Sequence, residues 1–149
     1  MRRLRRLRRL TGRDLRLTAE ALWLVVQVRA GLWLFPFERV HRRYGRRGER
    51  RAGENAGVPD AATARSIGAA VRRSSRLVPA ATCLPQALAA RVMLERHAVP
   101  NELRFGVAKT STGALEAHAW VEVDGSVIVG NLPDLSRYRR MPELPADLA

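Results

Sequence analysis

The chain contains a single cysteine, Cys83, in the stretch "ATCLPQALAA" at 80–89, where it opens an alanine- and leucine-rich run. Two readings compete for it. Free cysteine is among the most buried residue types, so a small core hydrophobe is one. The other is a nucleophile, because the partial positive charge of a helix N-terminus favours thiolate over thiol. His118 follows in "ALEAHAWVEV", and Asn131 stands at the end of the next apolar run, with Asp134 beyond Pro133. A thiol and an imidazole together perform acyl chemistry: the ring takes the proton and the sulfur attacks an acyl carbon. A third group, carboxylate or carboxamide, then fixes the tautomer and orientation of the ring. Asn131 and Asp134 are the candidates for that third place. A satisfied strand histidine and a loop-capping asparagine are the competing structural readings. The order of the residues favours chemistry, because it puts them at a helix start, on a strand and at a strand end.

Those residues need elements to hold them. Leu24, Val28 and Leu32 recur at helical spacing, which predicts a helix over about 17–34 that Pro36 ends. Residues 45–59 are rich in glycine and charge and read as a linker. Asp60 stands where an N-cap belongs, before a helix to about Arg76 that buries Ile67 and Val71. The cysteine helix carries Leu84, Ala87, Leu88 and Val92 on one face and stops before Pro100. Pro85 is tolerated in its first turn, where a missing N–H costs nothing. After Pro100 the period changes to alternation, first in "NELRFGVAK" and again in "ALEAHAWVEV". In the second strand Leu115, Ala117, Ala119, Val121 and Val123 share one face, and Glu116, His118, Trp120 and Glu122 the other. Asp124-Gly125 signals a two-residue hairpin turn into "SVIVG". The next strand is expected to end at Asn131, and the tail "NLPDLSRYRRMPELP" to be irregular. Helices followed by an antiparallel meander make an α+β domain. With the cysteine helix laid on the His118 face of the sheet, the thiol meets the imidazole.

At 149 residues and a net charge of +13, the chain divides into a basic helical region with its linker at 1–57 and a core at 58–149. A lone cysteine excludes a disulfide framework and a cysteine-rich zinc site. Three scattered histidines do not replace such a site, and no glycine-rich phosphate loop suggests that the chain uses ATP, so neither a metal nor another cofactor is expected. Residues 1–16 hold eight arginines, and Lys109 is the only lysine. Arginine clusters suit nucleic acid, anionic lipid or an acidic peptide, and a codon bias explains part of the excess. The apolar stretch after the first cluster is broken by Glu20, Gln27 and Arg29 and shows no small-residue cleavage site. It reads as an amphipathic helix that packs on the core or lies on a membrane surface, in a cytoplasmic protein.

The blocks "CLPQALAARVMLERHAVPNELRFGV" and "EAHAWVEVDGSVIVGN" resemble the transglutaminase-like cysteine peptidases of lasso-peptide biosynthesis, in particular the stand-alone leader-peptidase half of the split B protein. The resemblance covers about 60–140 and implies a transglutaminase/papain-like core with the cysteine at a helix N-terminus, packed on a small antiparallel sheet. It implies cleavage of a ribosomally made precursor between leader and core peptide, with Cys83 as nucleophile and His118 as general base. The family's third member is generally an aspartate just after the third strand. This sequence has Asn131 there, with Asp134 as the substitute. Residues 1–57 do not resemble the leader-recognition module of fused B proteins, so a separate recognition protein and a cyclase are the expected partners. The oxyanion falls to the backbone N–H of Cys83; Gln86, one turn along, is placed to donate as well, but surface solvation is the favoured reading for it. Rival readings are an acyltransferase with the same residues, a basic nucleic-acid-binding module, and a scaffold without catalysis. No helix-turn-helix or zinc-finger pattern supports the nucleic-acid reading.

Overall fold

The computed structural model describes residues 11–45 and 60–142. The Arg-Arg-Leu triplets of residues 2–10 and the expected linker, all but its first residue, lie outside them.

Helix α1 spans Gly12–Leu34 and starts ahead of residue 17 because of a capping box. The Thr11 hydroxyl accepts the Asp14 N–H at 3.2 Å, and the Asp14 carboxylate accepts the Thr11 N–H at 3.0 Å. Phe35 ends the helix in an extended conformation, as the residue before a proline must. A second short helix, α2 (Phe37–Gly45), leaves directly from Pro36. Helix α3 (Ala61–Ser75) begins as expected at Asp60, whose carboxylate accepts the N–H groups of Ala62 and Thr63. Helix α4 (Cys83–Arg96) buries Ala87, Leu88, Val92 and Met93.

Four antiparallel strands follow: β1 (Glu102–Lys109), β2 (Leu115–Val123), β3 (Ser126–Val129) and β4 (Arg139–Arg140), ordered β3-β2-β1-β4. The β2–β3 turn has Asp124 and Gly125 both at positive φ, 48° and 70°, the conformation that Asp-Gly selects. β3 stops at Val129, short of the expected Asn131, because Gly130 turns the chain out of the sheet at φ +84°. The tail is not wholly irregular: Arg139 and Arg140 pair with Val107 and Gly106 of β1. Two residues are too few to show a period, so the sequence carried no sign of this strand.

The alternation along β2 holds, but the helix lies on the other face from the one expected. Ala119, Val121 and Val123 join Leu24, Ile67, Leu88 and Met93 in the main core, with α4 lying on the alanine/valine face, α3 against β3, and α1 packed on α3 and α4. The hydrophobic effect decides this: a helix with an Ala/Leu face gains by covering small apolar side chains, and would have to desolvate Glu116, His118 and Glu122 on the opposite face. That opposite face carries its own smaller cluster of Trp120, Tyr138 and Ala108, covered by Leu132 and Leu135 from the tail. Glu122 is buried there and fully engaged, accepting from Trp120 Nε1 at 2.9 Å and from Arg140 at 2.7 Å.

Candidate active site

Cys83 is the first residue of α4. Thr82 caps the helix without a side-chain bond, and Pro85 contributes no N–H. The N–H groups of Cys83 and Leu84 therefore stand at an end that no side chain of the cap closes. The thiol is half-buried and packs against the helix-side core. His118 projects from the other face of β2. Its ring stacks on Trp120 with centroids 6.0 Å apart and lies 5.3 Å from the ring of Tyr138.

Opposite faces do not keep the two apart. Both line one cavity of about 560 Å³ at the end of the edge strand β3. Its walls come from both sides of the sheet: Ile128 belongs to the helix-side core, while Val127 and Leu132 belong to the opposite cluster. Gln86, Gly130, Asn131 and Arg72 complete the lining. The early stop of β3 is what opens this passage.

The imidazole is held by a main-chain oxygen. His118 Nε2 lies 2.7 Å from the carbonyl oxygen of Gly130. A carbonyl only accepts, so Nε2 carries the proton, and in the neutral ring Nδ1 is the nitrogen with a free lone pair. Only glycine allows this placement. A Cβ at 130 would stand 2.7 Å from the Ala119 carbonyl oxygen and from Trp120 Cβ, in addition to the strain of its positive φ.

Asn131 is an exposed residue of the cavity wall, next to the carbonyl that takes the ring. Asp134 is not part of that wall, and its carboxylate pairs with Arg137 at 2.6 Å. Arg137 also binds Glu116 at 2.6 Å and holds that carboxyl below its ordinary range. Gln86 lines the cavity, but its amide N–H donates to the Ala81 carbonyl at 2.7 Å. Among the described residues no group of three metal-ligating side chains occurs.

Two members of the site went unread in the sequence. Gly130 had a signal, a glycine directly after a strand, where backbone of unusual conformation is common. Arg72 had none, being one arginine among many. Its guanidinium reaches from α3 to the Ile128 carbonyl at 2.6 Å. Gly68 makes the approach feasible, since a Cβ there would stand 2.8 Å from the same oxygen. Arg72 thus ties β3 to α3 two residues before the carbonyl that holds His118, and brings a cation to the cavity.

A half-buried thiol opening a helix, a sheet behind that helix, and an imidazole on an inner strand sharing its cavity define an acyl-transfer type of cysteine fold. Residues 31–143, well over half of the chain, match the Transglutaminase-like superfamily, and the chain belongs to it. No curated protein and no solved structure matches the chain.

Proposed function

We propose that this protein is a cysteine peptidase that removes the leader from a ribosomally made lasso-peptide precursor. The observation that carries the reading is the shared cavity of Cys83 and His118, with the ring held through Nε2 so that Nδ1 is its base. In this scheme Nδ1 takes the thiol proton and Sγ attacks the carbonyl carbon of the leader–core bond. The C–N bond breaks, and the imidazolium returns its proton to the leaving amine of the core peptide. Water then attacks the thioester, gives a proton to the ring, and releases the leader carboxylate and the thiol. The N–H of Cys83 at the helix end is the donor for the tetrahedral oxyanion. Asn131 accepts from or donates to groups at the cavity mouth and supports the ring's environment beside Gly130. A separate recognition protein brings the leader, and a cyclase consumes the freed core.

The test is precursor peptide incubated with the protein and the recognition protein, followed by mass spectrometry. Two fragments whose masses sum to precursor plus one water, lost with Cys83→Ala, are the expected result. A fragment carrying an added amine in place of water would establish the acyltransferase reading. Intact precursor with every recognition protein tried would overturn peptidase activity.

A further inference from the structure

Helix α1 is apolar on two faces, and among the described residues only one of them packs into the core. Leu17, Ala21, Leu24, Val25 and Val28 are buried in the core. The outer side repeats the pattern with Ala19, Trp23, Val26, Ala30 and Trp33, at steps of four and three, and all are exposed. Trp23 is 62 % exposed and Trp33 79 %, and Leu34 at 64 % continues the strip. The outward side of a surface helix is ordinarily polar, so such a strip marks a surface that meets something apolar.

The strip runs through Ala30 and Leu34 into a groove of about 700 Å³ between α1 and α2. Phe35, Val40 and Tyr44 line the groove further, and Arg39, Arg42 and Arg43 share its lining. Each of the three arginines is exposed. In the sequence directly ahead of α1, Arg2, Arg3, Arg5, Arg6, Arg8 and Arg9 add further cations. An apolar strip with two tryptophans, bordered by arginine, complements a layer that is anionic at its surface and hydrocarbon beneath.

We propose that the outer face of α1, with the arginines of α2, binds the surface of anionic phospholipid bilayers. Tryptophan seats at the boundary between headgroups and acyl chains, and guanidinium groups pair with lipid phosphate. The observations favour lipid over a protein partner because Ala19, Trp23, Val26, Ala30 and Trp33 are all apolar and exposed, and the polar groups beside them, Gln27 and the three arginines, gather at the groove. By length and composition α1 is sufficient to cross a membrane. Its inner face, however, is committed to the core, and crossing would strip Leu24 and Val25 from Ile67 and Leu88. The helix therefore lies in the plane of the interface.

The experiment is sedimentation of the full chain with vesicles of phosphatidylcholine alone and of phosphatidylcholine with phosphatidylglycerol, read alongside tryptophan fluorescence. Partitioning at least about tenfold stronger to the anionic vesicles, weakening with salt, is expected. A blue shift from Trp23 and Trp33 should accompany it. Trp23→Ser with Trp33→Ser should abolish binding, and each Arg→Gln change at 39, 42 or 43 should weaken it about fivefold at low salt. Both substitutions are on the surface, and circular dichroism checks that the fold is kept. Cys83→Ala should bind as the parent does, which separates this surface from the catalytic reading. Equal binding to neutral vesicles, or binding indifferent to the tryptophan pair, would overturn the proposal. So would an unbound protein whose strip is covered by a second copy or by the recognition protein.

Discussion

His118 is oriented by the Gly130 carbonyl, and this decides which substitutions matter. Gly130→Ala forces a Cβ into the Ala119 carbonyl and Trp120, so the loop must move and carry the acceptor away from the ring. A displacement of about 1 Å at a catalytic group costs about 100-fold in rate. Asn131→Ala leaves the carbonyl in place and removes one neutral polar group from the cavity wall, a loss of about five- to tenfold. Asp134→Ala releases Arg137 only and should leave turnover within about twofold, the scale of an exposed ion pair. The measurement is the initial rate of precursor cleavage by the three variants, with circular dichroism on each. A large loss at Asp134 with none at Gly130 would mean that the loop after β3 rearranges on binding substrate and presents the carboxylate to the ring.

The helix entries carry a pH dependence of their own. Hydrogen bonds from the Thr63 side chain and backbone depress the Asp60 carboxyl below its ordinary 3.8, and those from Thr11 do the same for Asp14. A group with a depressed folded value stabilises the fold fully above its unfolded value, and that contribution disappears as pH falls through the folded one. Thermal unfolding should therefore drop below about pH 4, and Asp60→Asn should flatten the profile while keeping the cap. An unchanged acid limb in Asp60→Asn, scanned from pH 2 to 7, would assign the dependence elsewhere, to Asp14 or to Glu116 beside Arg137. These entries were legible in the sequence because a cap is a local contract between residues two or three apart. The Asp-Gly turn and the alternation of β2 were legible for the same reason. What was not legible needed the third dimension: which face of β2 the helices cover, the pairing of two arginines with β1, and the reach of Arg72 to β3. Each of these joins residues distant in sequence and leaves no period behind.

For the whole molecule, the N-terminal helix and the cysteine helix share one core, since Leu17, Leu24, Val25 and Val28 pack with Ile67, Val71 and Leu88. A chain starting at residue 58 would expose that side of α3 and α4 to water. Losing four buried aliphatic side chains at about 1.5–3 kcal/mol each is comparable to the entire stability of a small domain. The truncated chain should therefore lose its cooperative urea transition and bind hydrophobic dye. A sharp transition near that of the full chain would instead make α1 an accessory to a self-sufficient 58–149 core. The candidate residues Cys83 and His118 could be nominated from the sequence because their chemistry is rare there. Their meeting place could not, because it depends on β3 ending early and leaving a gap at the rim of the sheet.

The acceptor at residue 130 is a backbone oxygen, which no side chain supplies. Any amino acid at 131 leaves the oxygen on its peptide bond, so inheritance preserves this part of the site as a bend of the chain rather than as a functional group. A search for a third side chain would pass over an acceptor built this way, while a change of one hydrogen to a methyl at a residue without a side chain would displace it.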